Sequence, residues 1–437
     1  MEGNIRGELV RLALPLLIGN VLQQMYNTVD SLIIGKFLGT EAFSAVGIAG
    51  TVMNLFIFVL SGFCTGISII FAQMYGQGDR SGFRREVFVA TSLGAGITLV
   101  LSGLFMLLMR PVLHLINSPA ELIPYVERYL MVIIGGMLCT YFYNLCSCML
   151  NAIGDTRAAT FFLFVSVVIN TVVDYLFVGV WNFGIAGAAW ATVLSQLISA
   201  LCCVGYILRR DRDLICTRYD FNFERGLVRR TLVFGASSAL HMSSLYIGKI
   251  FVQGAVNTLG TQGIAAYTAT MRIEGFANSF GTSSGQAVSV FISQNWGAGN
   301  HARVREGFRK AMELAIGLGL ALSAALFLVA KSGVGVFLGA GETQALNYGV
   351  DYLRQMALFY TLCFTGNSFV GFFRGVGQVY VPLTATILHI SLRALLSYVW
   401  VDAMGLRAVA LATGVGWLVM TAYQISTLLF LRRRGKV

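Results

Sequence analysis

Long apolar runs occupy most of this sequence and limit what it can fold into. Crossing the hydrocarbon core of a bilayer, about 30 Å thick, takes about 20 consecutive apolar residues in a helix. Runs of that length recur along the chain, with short charged or glycine-rich breaks between them. They lie at residues 9–35, 43–73, 87–109, 126–150, 158–180, 186–208, 228–256, 264–294, 307–330, 349–373, 380–402 and 407–431. The sequence therefore predicts an all-α polytopic membrane protein with twelve transmembrane helices.

The composition excludes a soluble domain. Hydrophobic residues make up 56% of the chain and charged residues only 12%, against roughly 25% charged residues in a soluble protein. The net charge of +11 comes from basic residues in the short breaks, a distribution typical of membrane topology, so we expect no nucleic-acid partner. Seven of the eight cysteines lie inside apolar runs without metal-ligand spacing, so we expect neither a disulfide framework nor a cofactor.

The basic residues also predict the orientation. If the breaks between apolar runs are assigned alternately to the two sides, one side holds 22 lysines and arginines and the other holds 6. Cytoplasmic loops are enriched in these residues. We therefore predict that both termini are cytoplasmic, and that the first apolar run, too long for a signal-peptide core, is a membrane helix.

An internal repeat divides the chain. Gly39-Thr40 recurs as Gly260-Thr261, and the Gln-x-x-Gly-x-Gly pattern beginning at Gln73 recurs at Gln294, both at an offset of 221 residues. Six helices in each half keep the two halves in the same orientation. The sequence predicts two pseudo-symmetric six-helix bundles around a central cleft, with lobes at 1–212 and 227–437 and a cytoplasmic linker at 213–226.

A polar stripe interrupts the apolar run at 161–180. Asp174 lies near the membrane interior, where a carboxylate is costly and calls for a partner, a cavity or an ion path. Asn170 and Ser166 precede it at intervals of four residues, so the three side chains share one face of the helix. Hydrogen-bonding between helices is the alternative role, and for Ser166 it is the simpler one.

Other polar residues line the predicted helices of the first half. In the first helix Gln23, Asn27 and Asp30 share a face, and Pro15 can bend this helix. In the fourth helix Tyr141 and Asn144 share a face as part of packing or of a cavity wall.

The second half carries a different set of embedded ionisable residues: Lys249, Arg272, Glu274, His389 and Arg393. Arg272 and Glu274 are two residues apart, so on one helix they point away from each other and we expect each to pair with another helix. Charge pairing that stabilises the fold is the main role predicted for this set. His389 is also a candidate for proton relay.

Taken together, the helices, the duplicated halves and the glycine loops make the chain similar to the multidrug and toxic compound extrusion (MATE) antiporters, and to their DinF-like branch in particular. The more specific motifs are Asn151 to Thr156 before the fifth helix, Asn170-x-x-x-Asp174 within it, and Gly184 to Thr192 entering the sixth. The resemblance covers essentially the whole chain.

The resemblance implies a cation site in the first half and an exporter function. The family pattern places that site on Asp30, Asn170, Asp174 and Thr192, and the bending proline on Pro15. The second acid pattern of the NorM-like branch is missing from the second half. A monomer in the cell membrane of a prokaryote would exchange H⁺ or Na⁺ for small organic compounds, cationic or amphiphilic. The residues predicted to line the substrate cleft are Gln23, Asn27, Tyr141, Asn144, Glu274 and Asn367.

The chemistry of two carboxylates agrees with an antiport role. Two acids close together in a low-dielectric site cannot both ionise cheaply, so a proton or a metal cation must compensate them. The sequence does not choose between H⁺ and Na⁺. A flippase for a lipid-linked saccharide is the main alternative. A channel would need a ring of like charges, and an enzyme would need a nucleophile or metal motif within the helices.

Overall fold

The computed structural model describes residues 3–115, 118–338 and 342–435, and its described residues form helices without strands. Each predicted apolar run falls within a helix or a consecutive pair of helical segments, which confirms the all-α fold. The helices are α1 (Ile5–Gln77), α2 (Arg80–Leu115), α3 (Ile123–Gly135), α4 (Met137–Ala152), α5 (Thr156–Asp174), α6 (Gly184–Arg210), α7 (Arg225–Asn257), α8 (Gly260–Gly297), α9 (His301–Phe337), α10 (Thr343–Gly375), α11 (Tyr380–Met404) and α12 (Leu406–Arg433).

Two interruptions explain how these helices correspond to the twelve runs. Helix α1 contains the first two runs, which Gly39 separates with φ 83° and ψ −173°. The fourth run is divided into α3 and α4, which meet at an angle of 47°. Among the described residues, eight helices are long and apolar enough to cross a membrane, or nine with this bent pair. The first arm of α1, α7 and α8 are also helical but carry more polar side chains.

The internal repeat is visible in the backbone. Glycines with positive φ recur at equivalent positions of the two halves, where side chains other than glycine are disfavoured. Gly39 (φ 83°) and Gly260 (φ 70°) precede corresponding helices, and the same holds for the glycines that end the Gln-x-x-Gly-x-Gly patterns. The repeated pairs are Gly39 and Gly260, Gly78 and Gly299, and Gly154 and Gly377.

The described chain forms two compact units. The first, here called the N-unit, is Ile18–Ala239, and the second, the C-unit, combines Met1–Leu17 with Leu240–Val437. This division places the start of α1 with the second half of the chain. The lobe boundaries predicted at 212 and 227 stay a prediction. Close packing of α1 on α7 helps to build the N-unit, since a Cβ on Gly66 would lie 2.2 Å from the Phe234 carbonyl oxygen.

The segment predicted as a linker, 213–226, is folded against α2. Arg84 bonds Asp220 at 2.9 Å, and Arg85 bonds Glu224 at 2.9 Å. Burial disfavours ionisation of Asp220, but hydrogen bonds from Thr217 and Arg84 outweigh it and lower the pKa of this carboxyl below its usual value. The segment is therefore part of the N-unit rather than a loose connection.

Candidate cation site

The N-unit brings two of the predicted acids together. Asp30 lies on α1 and is 8% exposed, and Asp174 ends α5 and is fully buried. Their carboxyl groups lie close enough to interact electrostatically. Ionised carboxylates only accept hydrogen bonds, so this contact is favourable when one group holds a proton or when a cation lies between them.

Helix α5 supplies the amide and changes its winding at the acid. Asn170 is 1% exposed and lies one turn before Asp174, close enough to interact with its carboxyl group. The backbone continues as a π-helix over Tyr175–Val180. Such wider turns occur inside helices mostly as short segments, often at functional sites. Asp174 therefore lies at the junction between two helical windings.

Two tyrosines complete the surroundings of the acids, and sequence reasoning missed both. The Tyr26 hydroxyl donates a hydrogen bond to Oγ1 of Thr192 at 3.1 Å, which ties α1 to α6. Tyr26 and Tyr129 are both close enough to Asp30 and Asp174 to interact with them electrostatically. The signal for Tyr26 was its position four residues before Asp30 on the same helix face.

The buried polar atoms of the site fit a small cation. Among the described residues, both carboxylate oxygens of Asp174, Oδ1 of Asp30 and Nδ2 of Asn170 are buried without a hydrogen-bond partner. Buried polar groups normally have partners, so several unsatisfied oxygens in one place indicate a position for a proton or an ion. Hard cations such as Na⁺ prefer oxygen ligands, and here carboxylate, amide and hydroxyl groups provide them.

The remaining polar residues predicted for the cleft divide into two groups. Gln23 is exposed on α1, and the side chain of Asn27 lies outside the described part of the structure. The amides of Asn144 and Asn367 donate to carbonyl oxygens four residues earlier, Thr140 at 2.8 Å and Cys363 at 2.9 Å. The same local hydrogen bond thus occurs at corresponding positions of the two halves. The predicted contact of these asparagines with substrate stays a prediction.

Tyr141 packs between helices, one of the two roles predicted for it, and its contact with substrate stays a prediction. Its side chain is fully buried and its hydroxyl donates a hydrogen bond to the Ala90 carbonyl at 2.6 Å. A Cβ on Gly94 would overlap its ring, so α2 and α4 pack tightly there. Helical spacing places a tyrosine on a face of its own helix but does not say whether that face meets a cavity or another helix.

Glu86 is a further buried acid of the N-unit, and sequence reasoning missed it because it lies one residue before the predicted third run. It is fully buried on α2, and the Thr231 hydroxyl lies 2.9 Å from each of its carboxylate oxygens, so that it can donate a hydrogen bond to either one. Arg230, the residue before Thr231, lies close enough to stabilise its charge and also contacts Gln73. These contacts offset part of the charge of this acid, and they tie α7 to α2.

The C-unit surrounds its embedded acid with cations. Glu274 on α8 is 3% exposed and lies within electrostatic reach of Arg393 on α11 and Lys249 on α7. No ion pair closer than 4 Å joins these three among the described residues. Arg272 is exposed and makes no ion pair in the described chain, so the predicted pairing of Arg272 across helices is wrong.

The two buried histidines of the C-unit, His241 and His389, lie in contacts between helices. The His389 ring stacks on Trp417, with centroids 6.0 Å apart and planes 9° apart, and it presses against Gly416. His241 contacts the buried guanidinium of Arg374 at 2.9 Å. Both rings therefore fill positions between helices, and a relay role for His389 stays a prediction.

Comparison with known proteins gives a consistent result. The sequence model of the MatE family matches the chain twice, over residues 15–176 and 238–399. The probable multidrug resistance protein YpnP of Bacillus subtilis is 28% identical over 95% of this chain and 93% of its own length. A solved outward-facing conformation of a multidrug resistance MATE family transporter is 25% identical, with a TM-score of 0.87 over 99% of this chain and 96% of that one. A MATE structure in the bent conformation is 24% identical and superposes with a TM-score of 0.90, covering 99% and 96% of the two chains.

Proposed function

This chain belongs to the MatE family of membrane transporters, and from that premise we propose that it exports organic compounds in exchange for H⁺ or Na⁺. The exported compounds are cationic or amphiphilic. The pair of carboxyl groups of Asp30 and Asp174, buried with unsatisfied oxygens, is the observation that supports the exchange.

The site can couple an ion gradient to transport because its charge must be compensated in every state. When a cation or proton is bound, the two acids can stay close and buried. When it leaves, the repulsion between two carboxylates favours a conformation that separates or hydrates them. A ligand that prefers one conformation shifts the population toward it, so ion occupancy would decide which side of the membrane the substrate path faces.

Each site residue has a distinct role in this proposal. Asp30 and Asp174 carry the exchangeable charge, Asn170 supplies an amide oxygen, and Thr192 supplies a hydroxyl that Tyr26 orients. Pro15 lies within α1, whose described backbone departs from helical dihedral angles only at Gly39. We keep Pro15 as the candidate hinge, because its missing backbone donor weakens the helix at that point.

A flippase for a lipid-linked saccharide is the second candidate. Lys249 and Arg393 favour it in one respect, since a positively charged interior suits a phosphate group. The two acids of the N-unit favour the antiporter instead, because their uncompensated charge calls for an exchangeable cation or proton. The antiporter is therefore the better-supported proposal.

Reconstitution in proteoliposomes tests the function directly. We expect efflux of a cationic dye when either a proton gradient or a Na⁺ gradient is imposed alone, and the gradient that drives it identifies the coupling ion. Liposomes without protein and liposomes with both gradients collapsed are the controls. Dye transport that ignores both gradients, together with movement of a fluorescent lipid-linked sugar, would favour the flippase.

We also propose that both termini face the cytoplasm, because 22 basic residues are predicted on that side against 6. An alkaline-phosphatase fusion at the C-terminus should be inactive and a green fluorescent protein fusion at the same point should fluoresce. An active phosphatase there would reverse the proposed orientation of the whole chain.

A further inference from the structure

An open groove with a volume of about 880 Å³ lies in the C-unit between the start of α9 and the end of α12. Its floor is apolar, formed partly by Phe308 and Leu428, each 6% exposed. Its rim carries three exposed arginines, Arg305, Arg309 and Arg432. The groove thus combines an apolar floor with a positively charged rim.

The positive charge of the rim is only partly compensated. Glu306 is the acid that lines the groove. Arg309 makes a loose ion pair with Glu313 at 3.9 Å, but the same carboxylate also pairs with Arg6 at 2.5 Å and Lys310 at 3.1 Å. Arg305 and Arg432 make no ion pair within the described part of the chain. The rim therefore keeps a net positive charge.

On α9 the groove continues into lipid-facing surface. Arg305, Arg309, Met312, Ile316 and Leu320 follow each other at intervals of three or four residues and so share one helix face. Ile316 is 42% exposed and Leu320 is 59% exposed. In a membrane-spanning helix such exposed apolar side chains face acyl chains, so the arginines lie where headgroups begin.

Helix α12 shows the same order of side chains when it is followed from its C-terminal end, whereas α9 is followed from its N-terminal end. Arg432, Leu428 and Ile425 share a face at intervals of four and three residues, and Ile425 is 43% exposed. Both walls of the groove therefore change from arginine to apolar surface in the same direction. This is the order of groups along a phospholipid, from phosphate to acyl chain.

We propose that this groove binds the headgroup of an anionic phospholipid. Arginines pair with phosphate oxygens in a planar fork geometry, and basic pockets at the ends of transmembrane helices suit anionic headgroups. The headgroup phosphate lies among Arg305, Arg309 and Arg432, and the acyl chains follow Ile316 and Ile425. An anionic lipid such as phosphatidylglycerol has no ammonium group to offset its phosphate charge, and this distinguishes it from a zwitterionic lipid.

Native mass spectrometry of the full-length protein, delipidated in detergent, tests the proposal. Phosphatidylglycerol or phosphatidylcholine is added at matched concentrations. We expect one phosphatidylglycerol to bind at least about tenfold more tightly than phosphatidylcholine, since each basic residue near an anionic headgroup contributes roughly fivefold. The variant Arg305→Gln/Arg309→Gln/Arg432→Gln should lose that preference.

The control variant Arg209→Gln/Arg225→Gln/Arg229→Gln removes the same charge from exposed arginines of the N-unit, outside the groove, and should bind phosphatidylglycerol like the wild type. Equal loss in both variants, or an unchanged preference in the groove variant, overturns the proposal. Displacement of the lipid by millimolar inorganic phosphate also overturns it, because the groove would then be a phosphate site. Thermal unfolding without lipid checks that the groove variant is folded.

Discussion

The two units of this transporter surround their embedded acids with different groups. In the N-unit, Asp30 and Asp174 face each other with amide and hydroxyl groups around them and with unsatisfied oxygens. In the C-unit, Glu274 also has one oxygen without a hydrogen-bond partner, but it lies within electrostatic reach of two cations, Arg393 and Lys249. The same duplicated architecture thus surrounds one acid with protein cations and leaves the other two to be compensated from outside.

The contrast separates the proposed ion-exchange site from a cluster of charges that the protein supplies itself. An acid that the protein already compensates has little need of an external cation, whereas two uncompensated acids in a low-dielectric site must bind one or take up a proton. Glu86 shows that this difference is local rather than a property of a whole unit, since Thr231 and Arg230 offset part of its charge within the N-unit.

The largest expected effect is on coupling in the N-unit. Asp174→Asn and Asp30→Asn should leave the protein folded, because asparagine is nearly isosteric and removes a costly buried charge, yet abolish gradient-driven efflux. Proteoliposome efflux under imposed proton and Na⁺ gradients measures this, with size-exclusion profiles as the folding control. Efflux by Asp174→Asn at the wild-type rate, with the same gradient response, would mean that Asp174 only contacts other helices and does not couple transport to the ion.

Next in size is a stability effect in the C-unit. Glu274→Gln should destabilise the protein by about 3 kcal/mol, because it leaves Arg393 and Lys249 close together without an acid. Thermal unfolding and expression level report the loss. The double variant Glu274→Gln/Lys249→Met should recover part of it by removing one stranded cation.

That contrast fails if Glu274→Gln is as stable as the wild type but no longer responds to an ion gradient. The C-unit would then hold a coupling site of its own. Arg272→Gln is the matched control, since Arg272 is exposed and two residues from Glu274 on the same helix. It should change neither stability nor coupling.

A smaller effect is expected at the neutral ligand of the N-unit site. Asn170→Ala should raise the cation concentration that gives half-maximal efflux by about tenfold, as expected for the loss of one polar interaction in a buried site. Ser166→Ala removes a buried polar group, 4% exposed, one turn earlier on the same helix face. A similar shift in both variants would mean that the effect is on packing of α5 and not on the site.

The smallest expected effect distinguishes two tyrosines of the N-unit. Tyr141→Phe should cost about 1 kcal/mol of stability, the typical value of one hydrogen bond, and leave coupling unchanged. Tyr26→Phe should instead change the cation dependence of efflux a few-fold, because its hydroxyl orients Thr192. Thermal unfolding measures the stability effect, and cation titration of efflux measures the effect on coupling. A change in cation dependence for Tyr141→Phe would indicate that Tyr141 lines the cleft.

Sequence patterns were sufficient to predict those features that depend on a single residue or on a single helix. Apolar runs predicted the helices because the membrane requires a continuous apolar length. Repeated glycines marked the breaks, since Gly39 and Gly260 adopt positive φ that other residues disfavour. Asp30 and Asp174 were recognisable because a carboxylate in an apolar run is costly wherever it lies.

The tertiary structure decided which residues meet, because helical spacing defines a face but not the neighbour that covers it. It buried Tyr141 against the Ala90 carbonyl, and it placed Tyr26 and Tyr129 beside the acids. It also left Arg272 exposed on a helix where Glu274 is buried. The sequence determined that embedded charges exist, and packing between distant segments determined which of them the protein compensates.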